Sequence, residues 1–168
     1  SLGNYPEAIA QYEASLAITR EIGDRATEAQ TLNNIGSVYV ALDQDEAALA
    51  NYQQSLAIRE EIGDYAGQAF SLWGIALVNT RLGDYSSAIT TYQRGLAISR
   101  DVGSKAEEAA ILTRLGEVFE AQDDPVLAII FLKQAINTYE TIREGNQALA
   151  QDLQDTYTAT IEDDYRRL

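Results

Sequence analysis

The sequence predicts an all-helical solenoid, in which helix pairs stack one after another. Two observations support this fold class. First, a short segment recurs every 40 residues, as "EIGD" at 21–24, "EIGD" at 61–64 and "DVGS" at 101–104. Second, apolar and small residues recur within each copy at steps of three and four, which is the period of an α-helix. Such a repeat is typical of stacked arrays, because one repeat cannot bury its apolar face alone.

The recurring turns place the ends of the helices. In "EIGD" the glycine suits the left-handed conformation that ends a helix, and the residue after it can accept hydrogen bonds from the next helix. We therefore expect positive φ at three glycines, Gly23, Gly63 and Gly103. We expect capping side chains at Asp24, Asp64, Ser104 and Asp124, the last of which precedes Pro125 at a first helical position.

These turns predict eight helices, near 5–22, 25–41, 45–62, 65–81, 85–102, 105–121, 125–143 and 147–167. The predicted array covers 1–145, with a half repeat at 1–24 and full repeats at 25–64, 65–104 and 105–145. Small residues recur where helices should approach closely, at Ala8, Ala48, Ala88 and Ala128.

The last segment, 146–168, is predicted to be a capping and linking helix. Gly145 breaks the 40-residue period, and an apolar stripe follows it, at Leu149, Leu153, Tyr157, Ile161 and Tyr165. We expect this helix to pack against helix 125–143 and shield the open end of the stack.

The composition bounds the function. The net charge is −14, which would repel a nucleic-acid backbone and favours basic or neutral partners, although solubility alone also explains it. The chain has no Cys and no His, which removes thiolate metal sites and the commonest general base. No apolar run is long enough for a membrane span, and the first residues lack the pattern of a signal peptide. We expect a cytoplasmic chain that is not an enzyme and has no cofactor, no metal site and no catalytic residue.

The repeat resembles the tetratricopeptide repeat. The small–Tyr–small pattern of that family is matched by Ala48, Tyr52 and Ser55, and the small residue of the first helix by three residues, Gly36, Ala76 and Gly116. The extra turn "AIREEIGD" is similar to the longer repeats of kinesin light chains and of many bacterial arrays. This resemblance implies a right-handed α-solenoid that binds a protein or a peptide in its concave groove.

A narrower resemblance concerns Lys133 to Leu168. The landmarks are "INTYETIR", the residues around Tyr157 and the final "YRRL". They are similar to the segment that joins tetratricopeptide arrays to a caspase-like CHAT peptidase domain in cyanobacterial proteins. The resemblance implies that the chain is the docking or sensor arm of such a protein, with the peptidase beyond Leu168.

The family resemblance also implies which positions face a partner, because the first helix of each pair lines the groove. The first pair contributes Gln30, Asn33, Asn34 and Ser37. The second contributes Phe70, Trp73, Gly74, Leu77 and Arg81, and the third Ala110, Thr113, Arg114, Glu117 and Glu120.

Three features of these positions favour different functions. "NNIG" at 33–36 resembles asparagine-bearing helices that hold a peptide backbone, or else is two polar residues on a wet face. Phe70, Trp73 and Leu77 share one face, which a partner, a second copy or the terminal helix should cover, unless Trp73 belongs to the core. Glu117 and Glu120 should neutralise Arg114, so a clamp for an acidic peptide terminus is not expected. The alternative function is a structural spacer or self-association module without a peptide ligand.

Overall fold

The fold is a series of antiparallel helices joined by tight turns. A computed structural model describes the backbone of residues 4–166 and the side chains of residues 4–151. Within that part of the chain the helices are α1 Tyr5–Ile22, α2 Arg25–Ala41, α3 Asp45–Glu61, α4 Tyr65–Arg81, α5 Tyr85–Asp101, α6 Lys105–Ala121 and α7 Pro125–Arg166. Each helix packs against the next one along the chain, and α2 also contacts α4. The predicted all-helical solenoid is confirmed. Among the described helices, none combines the length and the apolar character that crossing a bilayer requires.

The two helices predicted at 125–143 and 147–167 are one helix of 42 residues. The prediction of a break near Gly145 is therefore wrong. An isolated glycine in a helix costs about 1 kcal/mol, and its neighbours in "REGNQALA" include good helix formers and no proline. This local cost is too small to end the helix without a turn that takes the chain elsewhere.

The continuous α7 also overturns the predicted cap. One unbroken helix cannot fold back on its own first half, and Leu149 is 59% exposed. The other stripe residues, Leu153, Tyr157, Ile161 and Tyr165, lie outside the residues whose side chains the structure describes. Within the described residues, the second half of α7 therefore does not cover the outer face of its first half.

The predicted turn chemistry is confirmed in most repeats. The glycines of the recurring turn have φ of 72°, 69° and 73°, and the same conformation occurs at Gly83. The Asp24 and Asp64 carboxylates accept from the N–H groups of Thr27 and Gly67, and Asp124 caps α7 in the same way.

Ser104 is the exception among the predicted caps, because its side chain makes no capping hydrogen bond. The backbone does not explain the difference, since Asp64 and Ser104 have nearly the same φ and ψ, at −81° and 83° against −80° and 85°. What differs is the side chain, which is shorter in serine by one bond. The Asp64 carboxylate accepts from the N–H group three residues on, and the Ser104 hydroxyl does not.

Small residues let the stack close around tyrosine. Tyr52 is 2% exposed and lies between Gly36 of α2 and Gly74 of α4. A Cβ atom added at Gly36 would lie 2.9 Å from Tyr52 Cε1, and one at Gly74 would lie 2.7 Å from the same atom. The repeated alanines have the predicted role at three of four positions, since Ala48, Ala88 and Ala128 are buried. Overpacking any of these contacts should destabilise the chain by about 1–3 kcal/mol.

The outer helix pairs each bury one carboxylate between two cations. Glu108 accepts from Lys105 and Arg100, each at 2.7 Å, and is 6% exposed. Glu28, 80 residues earlier, is bound in the same way by Arg20 and Arg25. The middle pair has Gln68 at this position instead, and its amide donates to a backbone oxygen.

The first pair also buries a cation, Arg59 of α3, which is 5% exposed. Its guanidinium donates to Ser55, to Asp64 and to Gln30 at 3.2, 3.3 and 3.0 Å. Burial lowers the pKa of Arg59, because the charged form loses contact with water. These polar partners replace part of the lost hydration, and they join α2, α3 and α4 through one side chain.

Candidate functional site

A cleft between α4 and α6 is the best-formed open site among the described residues. It has a volume of about 260 Å³ and is lined by Ala69, Phe70, Trp73, Glu107, Ala110 and Ile111. Phe70 and Trp73 are one helical turn apart on α4, so both side chains reach the same gap. Ala110 and Ile111 form the opposite wall on α6. The predicted aromatic residues and Ala110 are thus brought together in one concave, mainly apolar space.

Phe70 and Trp73 contribute differently to the cleft. Phe70 is 53% exposed, which is unusual for so large an apolar side chain. Trp73 is partly buried and packs against the core cluster that contains Ile111 and Leu112. Trp73 therefore belongs partly to the surface of the cleft and partly to the core. Leu77, the third residue of the predicted face, is partly buried and does not line the cleft.

Glu107 is the charged member of the cleft lining. Among the described residues, no side chain forms an ion pair or hydrogen bond with its carboxylate. Its neighbour Glu108 is buried and paired, as described above, and points to the other side of α6. The cleft therefore offers an apolar interior with one unpaired negative charge at its wall.

The residues predicted on α2 do not form an open peptide clamp. Asn33 is 1% exposed, and its Oδ1 accepts from the Ser71 hydroxyl of α4 at 3.1 Å. Its Nδ2 is buried and has no partner among the described residues. Contrary to the prediction, this side chain does not lie on the groove surface, because α4 covers it. Ser71 on that helix is small enough to allow the contact.

The other predicted residues of α2 are closer to the surface and are bound to each other or to neighbours. Gln30 donates to Asn34 at 3.1 Å and accepts from Arg59. The Ser37 hydroxyl is 3.0 Å from the Tyr52 hydroxyl. Gln30 and Ser37 are exposed and Asn34 is partly buried, but none of the three lies in the cleft between α4 and α6.

The predicted cations are also paired within the chain. Arg81 donates to Asp45 at 2.8 Å and to Asp43 at 2.7 Å, which joins the end of α4 to the turn before α3. Arg114 pairs with Glu117 at 2.7 Å, which confirms the predicted neutralisation for that residue. The Thr113 hydroxyl donates to a backbone oxygen of its own helix. Within the described residues there is no group of three acidic side chains that could hold a metal ion.

Sequence reasoning missed half of the cleft lining, namely Ala69, Glu107 and Ile111. For Glu107, the 40-residue period does predict a position beside the cleft. Glu107 on α6 corresponds to Gly67 on α4, so it lies one turn before Ala110, as Gly67 does before Phe70. Ala69 and Ile111 carry no such signal, because both are buried and look like ordinary core residues.

The tetratricopeptide repeat family model matches residues 1–61 and 62–141 of the chain. The chain belongs to the tetratricopeptide repeat family. The fold of this family is generally a scaffold for protein–protein interaction and is typically non-catalytic, and its members generally bind proteins or peptides. No curated protein sequence matches the chain.

Solved structures with the same tetratricopeptide fold are distant in sequence. BtubC (BKLC) of P. vanneervenii is 21% identical and matches with a TM-score of 0.77 over 84% of this chain and 59% of that protein. Repeats of a Podospora anserina protein described as a kinesin light chain are 17% identical, with a TM-score of 0.70 over 83% of this chain and 69% of that one. The tetratricopeptide domain of Arabidopsis FLU is 19% identical, with a TM-score of 0.63 over 70% of this chain and 98% of that domain. The chain thus spans 59% of the length of BtubC, and at these identities the likeness concerns the fold.

Proposed function

We propose that this chain is a non-catalytic protein-interaction scaffold that holds one large apolar side chain of a partner peptide in the cleft between α4 and α6. The observation that carries the proposal is Phe70, which is 53% exposed beside a cleft of about 260 Å³. That volume suits one aromatic or large aliphatic side chain. The walls are mainly apolar, so removing their surface from water by contact with a partner is favourable.

The charge at the cleft selects among apolar partners. Glu107 is unpaired at the wall, and the whole chain has a net charge of −14. A Lys or Arg beside the anchoring side chain would pair with Glu107, whereas an acidic neighbour would be repelled. The preferred partner is therefore an apolar residue next to a basic one. Arg81 and Arg114 do not oppose this preference, because each is paired with its own acidic neighbours.

The experiment uses a displayed library of random peptides, selected on the full chain. Enriched peptides are expected to share an aromatic or large aliphatic residue beside Lys or Arg. A selected peptide is then titrated while the fluorescence of Trp73, the single tryptophan of the sequence, is followed. Filling the cleft should remove water from the indole and shift its emission to shorter wavelength.

Two variants on the same helix make the test specific. Phe70→Ala should weaken peptide binding at least about 10-fold, since a central aromatic anchor is lost. Tyr65→Ala is the control, because Tyr65 is 62% exposed on α4 but does not line the cleft. Glu107→Gln should weaken binding mainly at low salt. The cleft is not the binding site if Phe70→Ala and Tyr65→Ala lose peptide affinity equally. The same conclusion follows if a peptide binds without changing the emission of Trp73.

A structural spacer or self-association module is the second candidate function. It is favoured by the apolar side chains that remain exposed on α7, such as Ile136 at 56% and Tyr139 at 49%. A library selection that enriches no peptide would leave this candidate as the better account.

We also propose that the chain is the docking or sensor arm of a larger cytoplasmic protein with a caspase-like CHAT domain, of cyanobacterial type. The support is the resemblance of Lys133 to Leu168 to the linker of such proteins, and the long α7, which could transmit movement rigidly. Neither a nucleic acid nor a membrane is proposed as a partner. Sequencing the coding region downstream of Leu168 tests the idea, because a caspase-like domain requires a His and a Cys there.

A further inference from the structure

The end of the helical stack exposes a face that the other repeats bury. Ile136 of α7 lies 40 residues after Leu96 of α5 and 80 after Leu56 of α3. Leu56 and Leu96 are 9% and 7% exposed, whereas Ile136 is 56% exposed. In the earlier repeats the following helix, α4 or α6, packs on this side. No described helix takes that place on α7.

The exposed side forms one continuous surface, which we call the α7 stacking face and define as Ile129, Ile136, Tyr139, Glu140 and Arg143. At 100° per residue these positions fall on one side of the helix. The last four also line a shallow pocket of about 190 Å³. Ile129, Ile136 and Tyr139 are each about half exposed, at 52%, 56% and 49%.

The missing cover is a helix that runs antiparallel to α7. Helices α4 and α6 have 17 residues each, and each follows its predecessor through a short turn, so the two helices of a contact run in opposite directions. The second half of α7 has the required length, because the helix continues for 23 residues past Arg143. It cannot cover its own stacking face, since α7 does not bend back. The second half of another copy can.

We propose that two copies of this chain associate through α7, in an antiparallel pair in which the second half of each α7 covers the stacking face of the other. The proposal is independent of the peptide cleft between α4 and α6. It places a two-fold axis near residues 140–143, so both copies use the same surface in the interface. The cap that a single chain does not make is then made between two chains.

The charges of the stacking face are self-complementary. Glu140 and Arg143 are one turn apart and form no ion pair within the described chain. Around a two-fold axis between them, Arg143 of each copy faces Glu140 of the other.

The expected dimer is weak. Three half-exposed apolar side chains contribute about 300 Å² from each copy, well below the roughly 800 Å² per partner of a standard interface. Each copy also has a net charge of −14, so the two repel each other at low salt. We therefore expect a reversible monomer–dimer equilibrium at micromolar or higher concentration.

Sedimentation velocity of the full chain, from about 1 to 500 µM at about 0.15 M salt, tests the proposal. Ile136→Glu should raise the dimer dissociation constant at least about 10-fold. Ile130→Glu is the matched control, because Ile130 is the same residue type on the same helix, is 44% exposed and lies outside the stacking face. It should leave the equilibrium within about 2-fold of the original.

Charge exchange tests the antiparallel geometry. Glu140→Arg and Arg143→Glu should each weaken self-association, because like charges then meet across the axis. An equimolar mixture of the two variants should dimerise better than either alone. Both residues are on the surface, so circular dichroism should show an unchanged helix content.

Three results would overturn the proposal. One is a monomer at every concentration. Another is an equal dimer dissociation constant for Ile136→Glu and Ile130→Glu. The third is growth beyond the dimer, since a two-fold pair is closed. Peptide titration monitored by Trp73 remains a separate readout, and Ile136→Glu should leave it unchanged.

Discussion

Gly67 is predicted to be necessary because of two neighbouring side chains, Arg59 and Asp64. A Cβ atom added at Gly67 would lie 1.7 Å from Arg59 Nη1, 2.1 Å from Asp64 Oδ2 and 2.6 Å from Arg59 Cζ, distances that no pair of such atoms tolerates. Arg59 is buried, so its guanidinium cannot swing into water without breaking its hydrogen bonds to Ser55, Asp64 and Gln30. The other repeats lack this conflict. They have Thr19 and Ser99 in place of Arg59. At the position of Gly67 they have Thr27 and Glu107.

The magnitude follows from two opposing effects. Displacing Nη1 loses at least the bond to Asp64, and a hydrogen bond between charged groups contributes about 1.5–3 kcal/mol. Alanine returns up to about 1 kcal/mol, because it is the better helix former. Gly67→Ala should therefore lower the free energy of unfolding by about 0.5–2 kcal/mol. A glycine-to-alanine change would otherwise be expected to stabilise a helix.

A double-mutant cycle measured by urea unfolding isolates this conflict. In an Arg59→Ser background, chosen because Ser99 occupies the equivalent position of the next repeat, the guanidinium clash is gone. The Asp64 carboxylate can then shift as Asp24 does beside Thr27, so Gly67→Ala should stabilise by up to about 1 kcal/mol. Gly145→Ala is a second control, because a Cβ there meets nothing within 4 Å and should not destabilise. The steric argument is refuted if Gly67→Ala changes the free energy of unfolding by the same amount in the original chain and in the Arg59→Ser background.

Two further predictions concern the helix starts and the buried carboxylates. Asp84→Ala removes a real cap and should cost about 1 kcal/mol, whereas Ser104→Ala should cost less than about 0.5 kcal/mol in the same urea assay. Hydrogen bonds from Lys105 and Arg100 lower the pKa of Glu108 below its ordinary value of 4.5. The folded pKa is then below the unfolded one, so this stabilisation is present above about pH 4.5 and is lost as the pH falls through the folded pKa. Glu108→Gln should flatten the loss of stability between about pH 5 and 3, and an unchanged acid slope would contradict the assignment.

The helix–turn pattern was predictable because it is local. A glycine with positive φ and a carboxylate one residue later set the end of one helix and the start of the next, as at Gly63 and Asp64. Neither effect depends on what the helices later pack against. The small residues that face tyrosine, such as Gly36, also repeat in register, so their role could be inferred from the period.

The sites depended on which helix covers which side chain, and the sequence does not contain that information locally. Asn33 looked like a groove residue and is covered by α4, whereas Phe70 on that same helix stays half exposed. The difference lies in neighbours 38 or more residues away in the chain. Arg59 and Gly67 make the same point, since their dependence on each other is visible only when α3 and α4 are seen in contact.

Local signals in the sequence were enough to establish the repeat, the turns, six of the helices and the fold class, because periodicity and capping act within a few residues. Tertiary packing was needed to establish how α7 continues, what remains exposed at the end of the stack and where a cleft opens between α4 and α6. Gly145 shows the physical reason. A helix penalty of about 1 kcal/mol produces a break only where packing of the following segment compensates for it, and α7 continues unbroken through Gly145.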